Sequence, residues 1–457
     1  MIARLTLLAG AALTLAAPAS AADDPWTLHD AIGAPDNLRI SGSARIRYEA
    51  LSGQFRPGLD DNDDLISLRS GLFAEYDAGP IRIGGELIDS RAYDADAGGA
   101  VGTGEVNALE LVQAYLGADL GDAFGAGSTA RLDLGRFTID LGSRRLVGRN
   151  NFRNTTNAFT GARFDWRGRG GEQLTLFYTL PHTRLPADKG SILDNEVEWD
   201  RESFDLAFWG AFVNLANVAG RASLDLYFLA LDEDDSETIA TRNRRLLTPG
   251  FRLYRDPRAG TWDFELEAAY QFGNIRANSA ASAPRLDVSA FTLHAEIGRQ
   301  FADGWSPRLS FEYDRASGDR AGGDYGRFDS LYGPRRPDWG PTGIYGPLGR
   351  ANIRSPGVRL EVKPDARWDG FAGYRAAWLD SRSDAFAFTG VRDSAGRAGR
   401  FAGHQIEARV RYWLVPGLLR FETGGAVLLH GRFLDTAANS NGLGDTLYGY
   451  GDLTLTF

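Results

Sequence analysis

The chain has 457 residues, a formal net charge of −10, 43% apolar and 11% aromatic residues, 56 glycines, no cysteine and a mean hydropathy of −0.28. The lack of cysteine excludes disulfides and thiolate metal sites, and the acidic balance argues against nucleic acid as a partner. Beyond the first residues no apolar run approaches the length of a membrane helix, so any crossing by the mature chain must be made of strands.

At the start, Arg4 precedes an apolar run over 5–17 and the small-residue site Ala19, Ser20, Ala21. Residues 1–21 are therefore expected to be a secretory signal cleaved before Ala22. Residues 22–36 follow as a short periplasmic lead, and 37–457 as a single domain. Within that domain, alternation of apolar and polar residues predicts strands at 38–50, 64–78, 80–92, 106–119, 128–138, 156–168, 172–182, 201–214, 219–232, 245–256, 260–274, 286–301, 306–317, 350–363, 366–380, 403–415, 418–430 and 446–457.

The stretch 261–272 shows the pattern plainly. Trp262, Phe264, Leu266, Ala268, Tyr270 and Phe272 share one parity, while Asp263, Glu265, Glu267 and Gln271 share the other. On a helix those apolar residues would point in every direction. The final segment repeats the motif: Leu447, Leu453, Leu455 and Phe457 lie on one face, with Tyr448, Tyr450, Asp452, Thr454 and Thr456 opposite. A terminal Phe resembles the tail by which bacterial outer-membrane barrels are recognised by the barrel-assembly machinery.

Connections alternate in length. Residues 77–80, 167–171, 256–260, 363–365 and 415–417 read as tight turns, each set between longer polar or Gly/Pro-rich links that include 181–200, 232–244, 318–349 and 381–402. Stacked soluble sandwiches have no reason to segregate loop length in this way. The fold class expected is all-β: a transmembrane antiparallel up-and-down β-barrel of about eighteen strands, with short periplasmic turns, long extracellular loops and both termini in the periplasm. A barrel of this size leaves an aqueous lumen, which implies passage of solutes.

Parity also sorts the charges. Arg39, Arg45, Arg47 and Arg69 are predicted inward from the first two strands, and Arg359, Arg367, Arg375, Arg409, Arg411 and Arg420 from later ones. Asp205, Asp225, Asp263, Glu265, Glu267, Glu296, Glu312 and Asp314 are predicted inward between them, giving a basic wall opposite an acidic one. Lys189 and Lys363 are the only lysines among 50 basic residues. Arginine offers planar bidentate hydrogen bonding to carboxylates, which suits a path for an anionic sugar polymer.

Three stretches carry a family likeness: Gly135-Arg136, Leu141-Gly142-Ser143-Arg144-Arg145-Leu146-Val147-Gly148 and Phe159-Thr160-Gly161-Ala162-Arg163-Phe164. A fourth runs over 332–352 and leads to Lys363-Pro364. Together they resemble the alginate-export family of outer-membrane porins, although Thr160 stands where that family often has Asp. The resemblance implies an eighteen-stranded barrel in the outer membrane of a Gram-negative bacterium, with an arginine-rich constriction that passes an anionic polysaccharide outward and loops able to close it. Carried over by motif, Arg136, Arg145 and Arg163 join Arg359, Arg375, Arg409 and Arg411 as the expected pore-lining residues. Expected partners are outer-membrane lipid, an anionic polysaccharide or small hydrophilic solutes, the assembly machinery and periplasmic polysaccharide-secretion proteins, with no nucleic acid and no cofactor.

Other motifs are weaker. Asp60-Asp61-Asn62-Asp63-Asp64 offers oxygen ligands for calcium but lacks the Gly and distal Glu of an EF-hand loop. Residues 125–130 mimic a dinucleotide fingerprint yet begin a strand. His29, His182, His294, His404 and His430 show no HExxH spacing, and no G-x-S-x-G elbow occurs. No catalytic or metal residue is assigned from sequence. A general or substrate-selective porin, a barrel enzyme and an adhesin are the competing classes, and the segment 318–349 fits a place either outside the pore or within it.

Overall fold

The computed structural model describes residues 26–236, 239–336 and 338–457. The expected signal at 1–21 lies outside them. Eighteen strands form one closed antiparallel sheet. They are β1 (Leu38–Ser52), β2 (Asn62–Asp77), β3 (Ile81–Tyr93), β4 (Asn107–Gly121), β5 (Thr129–Phe137), β6 (Phe159–Arg167), β7 (Gln173–Pro181), β8 (Leu206–Ala219) and β9 (Ala222–Glu233), followed by β10 (Arg245–Arg255), β11 (Trp262–Arg276), β12 (Arg285–Gln300), β13 (Arg308–Ala316), β14 (Ile353–Val362), β15 (Trp368–Trp378), β16 (Phe401–Val415), β17 (Leu419–His430) and β18 (Thr446–Thr456). Each strand pairs with its sequence neighbours, and β1 closes on β18 in register from Ser43 opposite Thr456 to Ser52 opposite Leu447. Every predicted strand is present, and the tight turns all fall at one end.

One boundary differs. The strand expected at 201–214 starts five residues later, because Asp200 and its neighbours are drawn away to bond Glu110, Asn107 and Thr183. It then continues through an irregularity between Leu215 and Ala219 to a two-residue turn at Gly220 and Arg221, with φ of 57° and 97°. Two consecutive positive φ values give the turn a twist that matches a strand pair.

The alternation follows from the lipid. Trp262, Leu266, Tyr270 and Phe272 are exposed on the outside of β11, whereas Asp263, Glu267 and Gln271 are buried inside it. Aromatic residues mark both rims, with Tyr76, Trp262, Phe301 and Trp305 exposed toward the short-turn end and Tyr93, Trp209, Tyr270 and Phe272 toward the other. No helix among the described residues is long and apolar enough to cross a membrane.

The N-terminal lead has a place in this closure. A short helix, α1 (Leu28–Ala31), capped by the Thr27 side chain, follows Trp26, whose ring lies 6.1 Å from that of Phe457. Phe457 in turn exchanges backbone hydrogen bonds with Gly42, at 2.6 and 2.9 Å. A Cβ at Gly42 would collide with the Phe457 ring, so the seam requires glycine there.

Gly42→Val is expected to weaken the barrel by about 1–3 kcal/mol through overpacking. The check is a lower urea midpoint in detergent, with Gly304→Ala, which has open space around its Cβ, leaving the midpoint unchanged.

Candidate functional site: an arginine-lined cavity under an inserted loop

Two of the long links turn inward. The first joins β5 to β6 over 138–158, and the second joins β13 to β14 over 317–352. They meet at a parallel bridge between Val147 and Tyr332, where the Tyr332 amide donates to Leu146 O at 2.9 Å. A Cβ on Gly333 would collide with the Arg145 carbonyl, so the crossing depends on glycine. The second segment reaches the opposite wall, where Tyr345 Oη donates to Gln405 at 2.9 Å and the Ile344 amide donates to Glu49 at 3.3 Å. Trp339, Ile344, Tyr345 and Leu348 are all buried. The open question of 318–349 thus has a divided answer: 320–324 are exposed, whereas the described residues from Leu331 to Gly349 pack inside the barrel. Non-helical backbone is stable at this depth because protein, not lipid, surrounds it.

Arg145 locks the two segments to the wall. Its guanidinium donates to Glu267 at 2.7 Å, to Glu265, and through Nε to Asp338 at 3.0 Å; Asp338 also receives Arg350. Burial works against the Arg145 charge, but Glu267 and Glu265 outweigh it and hold the group above its ordinary value. Arg145 is therefore a structural anchor rather than a free pore cation.

The same neutralisation runs along the expected acidic wall. Arg252 meets Asp225, Arg308 meets Asp263 and Glu296, and Arg375 meets Glu312 and Asp314. Asp205 lies in the link before β8 and bonds Ser203 instead of lining the wall. What remains is an arginine excess on the other side.

There, a cavity of about 290 Å³ is lined by Arg45, Arg47, Arg144, Arg336, Arg409, Arg411 and Arg420, with Glu422 as the one carboxylate in its lining. Phe152 from the first inserted link sits between two guanidinium groups, those of Arg47 at 3.9 Å and Arg336 at 4.6 Å from its ring centre. Arg47 is neutralised by Asp452 at 2.8 Å, and Arg409 and Arg411 share Asp369 at 2.7 and 2.9 Å. Arg45 has backbone carbonyls of Asn151 and Arg153 and the Asn154 amide oxygen as acceptors. Arg336 contacts Tyr450 Oη at 3.4 Å and has a buried Nη1 without a hydrogen-bond partner. Neither Arg45 nor Arg336 has a carboxylate partner among the described ion pairs. Arg144 is held at φ 66°, a conformation rare outside glycine, where strain often accompanies function.

Of the seven arginines expected to line the pore, Arg409 and Arg411 border this cavity. Arg359 lies nearby, bonding Glu361 at 3.1 Å and stacking 3.6 Å from the Phe371 ring centre. Arg375 is committed to Glu312 and Asp314 beneath Trp339. Arg163 bonds Asp165 at 2.6 Å and lines a separate cavity of about 400 Å³ at the short-turn end. Arg136 is bound to Glu110 and Glu202 and does not border the arginine cavity. Parity reasoning could not find Arg144 and Arg336, which sit on inserted links. Their signal was the doublets Arg144-Arg145 and Arg335-Arg336 between turn residues. A third cavity, about 460 Å³, lies on the loop side and is lined by Arg242, Arg244, Tyr325, Phe328 and Asp329 among others.

Toward the loops from this cavity the inserted chain is held by buried cations. Arg56 donates to the carbonyls of Ile344 and Tyr345, and Arg335 to that of Gly346. Burial lowers Arg56 to about 10 and Arg335 to about 9, which leaves both charged at neutral pH. Glu105 is the acid beside Arg153 and Arg56; burial pushes its carboxyl up to about 7 against the pull of Arg153. The acids of 60–64 are engaged otherwise, with Asp63 accepting from Ala100 N at 2.6 Å and Asp64 from Tyr48 Oη at 2.9 Å.

A closed, lipid-facing barrel with inward loops and a charged inner wall defines an outer-membrane channel. A family model described as Alginate export matches residues 36–443, and the chain belongs to the alginate-export family. Its place is the outer membrane of a Gram-negative bacterium, and its class is channel rather than enzyme. The fold is similar to Pseudomonas aeruginosa OccK2 (OpdF), solved in complex with glucuronate, at 13% identity and TM-score 0.58 over 92% of this chain and 98% of that one. It is also similar to opdK of the same organism (15%, TM-score 0.56, 92% and 99% covered) and to OccAB1 of Acinetobacter baumannii (11%, TM-score 0.57, 92% and 97%). No curated protein matches the sequence.

Two outcomes follow. Asp338→Asn removes the acid shared by Arg145 and Arg350, and by the rule for breaking buried pairs is expected to cost about 3–5 kcal/mol locally. Hydrogen exchange over 331–350 should accelerate, whereas unchanged protection would exclude the anchor. For Glu105, the folded value of about 7 lies above the ordinary 4.5, so the bound proton stabilises the fold. That stabilisation is full below pH 4.5 and is lost as pH rises through 7. Thermal midpoints in detergent should fall between pH 5 and 8, and Glu105→Gln should flatten that part of the slope.

Proposed function

We propose that this channel passes an anionic, uronate-containing polysaccharide from the periplasm outward through the arginine constriction. The observation that carries the reading is the cavity bordered by seven arginines and one glutamate. Two of those cations, Arg45 and Arg336, have no carboxylate partner among the described ion pairs, and in this reading a carboxylate of the cargo takes that place. Guanidinium groups bind sugar carboxylates through paired hydrogen bonds, and a row of them allows a polyanion to exchange partners stepwise as it moves.

Membership of the alginate-export family supports the polymer, and the glucuronate bound by the structurally similar OccK2 supports the chemistry of the monomer. Export further implies a secretory signal at 1–21, a periplasmic lead that ends at the barrel seam, insertion by the barrel-assembly machinery and delivery by periplasmic polysaccharide-secretion partners. Uptake of small sugar acids is the second reading, favoured by the same glucuronate complex.

In planar bilayers the protein is expected to favour anions and to be blocked by polyuronate but not by a neutral polysaccharide of equal length. Arg45→Glu with Arg336→Glu should move the reversal potential toward cations and weaken polyuronate block at least tenfold. An unchanged reversal potential and block in a correctly folded variant would remove the arginine path. Passage of free glucuronate with exclusion of the polymer would assign uptake instead.

A further inference from the structure

A second polar cluster lies outside the arginine cavity, where the link over 182–205 meets the rim of β4. One ligand atom each from Glu110, His182 and Asp200 fall within 4.8 Å of one another. Glu110 and Asp200 are buried, and the His182 side chain is fully shielded from solvent. Buried carboxylates are ordinarily matched by a cation, and here Arg136 reaches Glu110 Oε1 at 2.6 Å but Asp200 has only neutral donors. Those donors are the Asn107 amide, at 3.0 and 3.2 Å, and the Leu185 amide at 2.9 Å.

The acceptors around His182 favour one tautomer. The Thr160 hydroxyl has one proton and gives it to Glu202 at 3.2 Å. At 2.7 Å from the same hydroxyl oxygen and 3.5 Å from Glu202, His182 Nε2 is then placed to donate. Nδ1 is left with a lone pair, and it is buried without any hydrogen-bond partner. A metal-bound imidazole is commonly oriented in this way, with the far nitrogen donating to an oxygen and the near one free to ligate. The carbonyl oxygen of Asn107, whose amide nitrogen donates to Asp200, is also buried without a donor. An unsatisfied imidazole nitrogen in a cluster with two carboxylates, and an unsatisfied amide oxygen on a residue bonded to one of them, are what a cation would complete.

We propose that Glu110, His182 and Asp200 form a divalent-metal site that clamps the 182–205 link onto the barrel rim, with Asn107 as a further oxygen donor. One imidazole nitrogen among carboxylate oxygens selects an ion of borderline softness such as zinc over calcium or magnesium, which prefer all-oxygen shells. The link is otherwise tethered by Lys189, which donates to the carbonyls of Gly99 and Val101 at 2.8 and 2.9 Å. It exposes Trp199 and Phe204 at the rim, and the clamp would fix those aromatics against the outer leaflet.

The test uses the full folded protein in detergent, stripped with EDTA and dialysed against zinc chloride. About one zinc per chain is expected, with slower tryptic cleavage at Arg184, Lys189 and Arg201. His182→Gln and Asp200→Asn should each lower zinc affinity at least tenfold, while Glu198→Gln, an acid on the same link, should not. If the variants fail to fold, cobalt loaded into the unaltered protein gives the answer: X-ray absorption should show one imidazole among oxygen ligands. Zinc uptake equal in all variants, cobalt without an imidazole signature, or calcium competing as well as zinc would each overturn the site.

Discussion

An unpaired peptide group in hydrocarbon costs several kcal/mol, and this requirement governs the whole molecule. Each strand here meets it by pairing on both sides, and the first meets it by closing on the last. Closure leaves no edge, so side chains rather than backbone decide what faces lipid and what faces the lumen. The outward parity becomes apolar and the inward parity is free to carry charge. Everything that follows, including the inserted links and their arginines, occupies a space that this closure creates.

Inside that space the governing quantity is charge balance. Carboxylates on β9 to β13 would repel an anionic cargo if they stood alone, yet arginines from neighbouring strands and from the first inserted link cover them. On the side of β1, β16 and β17 the balance tips the other way, because one aspartate serves both Arg409 and Arg411, while Arg45 and Arg336 are left to carbonyls, a phenol and aromatic faces. Cation–π contact with Phe152 keeps guanidinium groups ordered without cancelling their charge. The arrangement separates two roles for the same residue type, one that fastens segments and one that remains available.

The barrel was legible because its signal is local: a period of two, interrupted by turns whose lengths alternate. Phe457, Trp262 and the parity of β11 could be read without any knowledge of neighbours in space. The exception at β8 arose from a long-range pull on Asp200 that no local pattern records. Site residues fared less evenly. Arg409 and Arg411 follow from strand parity, but Arg144 and Arg336 depend on where irregular links fold, and Arg145 proved to be an anchor because Glu265, Glu267 and Asp338 converge on it. The motif containing Arg136 was visible, whereas its partners Glu110 and Glu202 come from β4 and the link before β8, which no local pattern records.

The placement of apolar residues inside the barrel adds a final constraint. Inward positions near the loop ends of the strands, among them Leu51, Phe208, Leu231, Leu246, Val288, Ala377 and Leu428, are apolar and buried against Trp339, Tyr345, Phe386 and Phe433 of the links. Nearer the middle and the short-turn end, inward positions such as Arg47, Arg409, Arg411 and Arg420 are charged. The lumen is therefore layered, with a packed apolar seat toward the loops and a cationic chamber beneath it. An anion arriving from the periplasmic end meets the arginines before it meets the seat, so attraction precedes the barrier. A solute entering from outside meets the packed segment first. That order of encounter is a property of the layered wall itself: it shapes the profile a solute crosses, while the gradient across the membrane sets the direction of net flow.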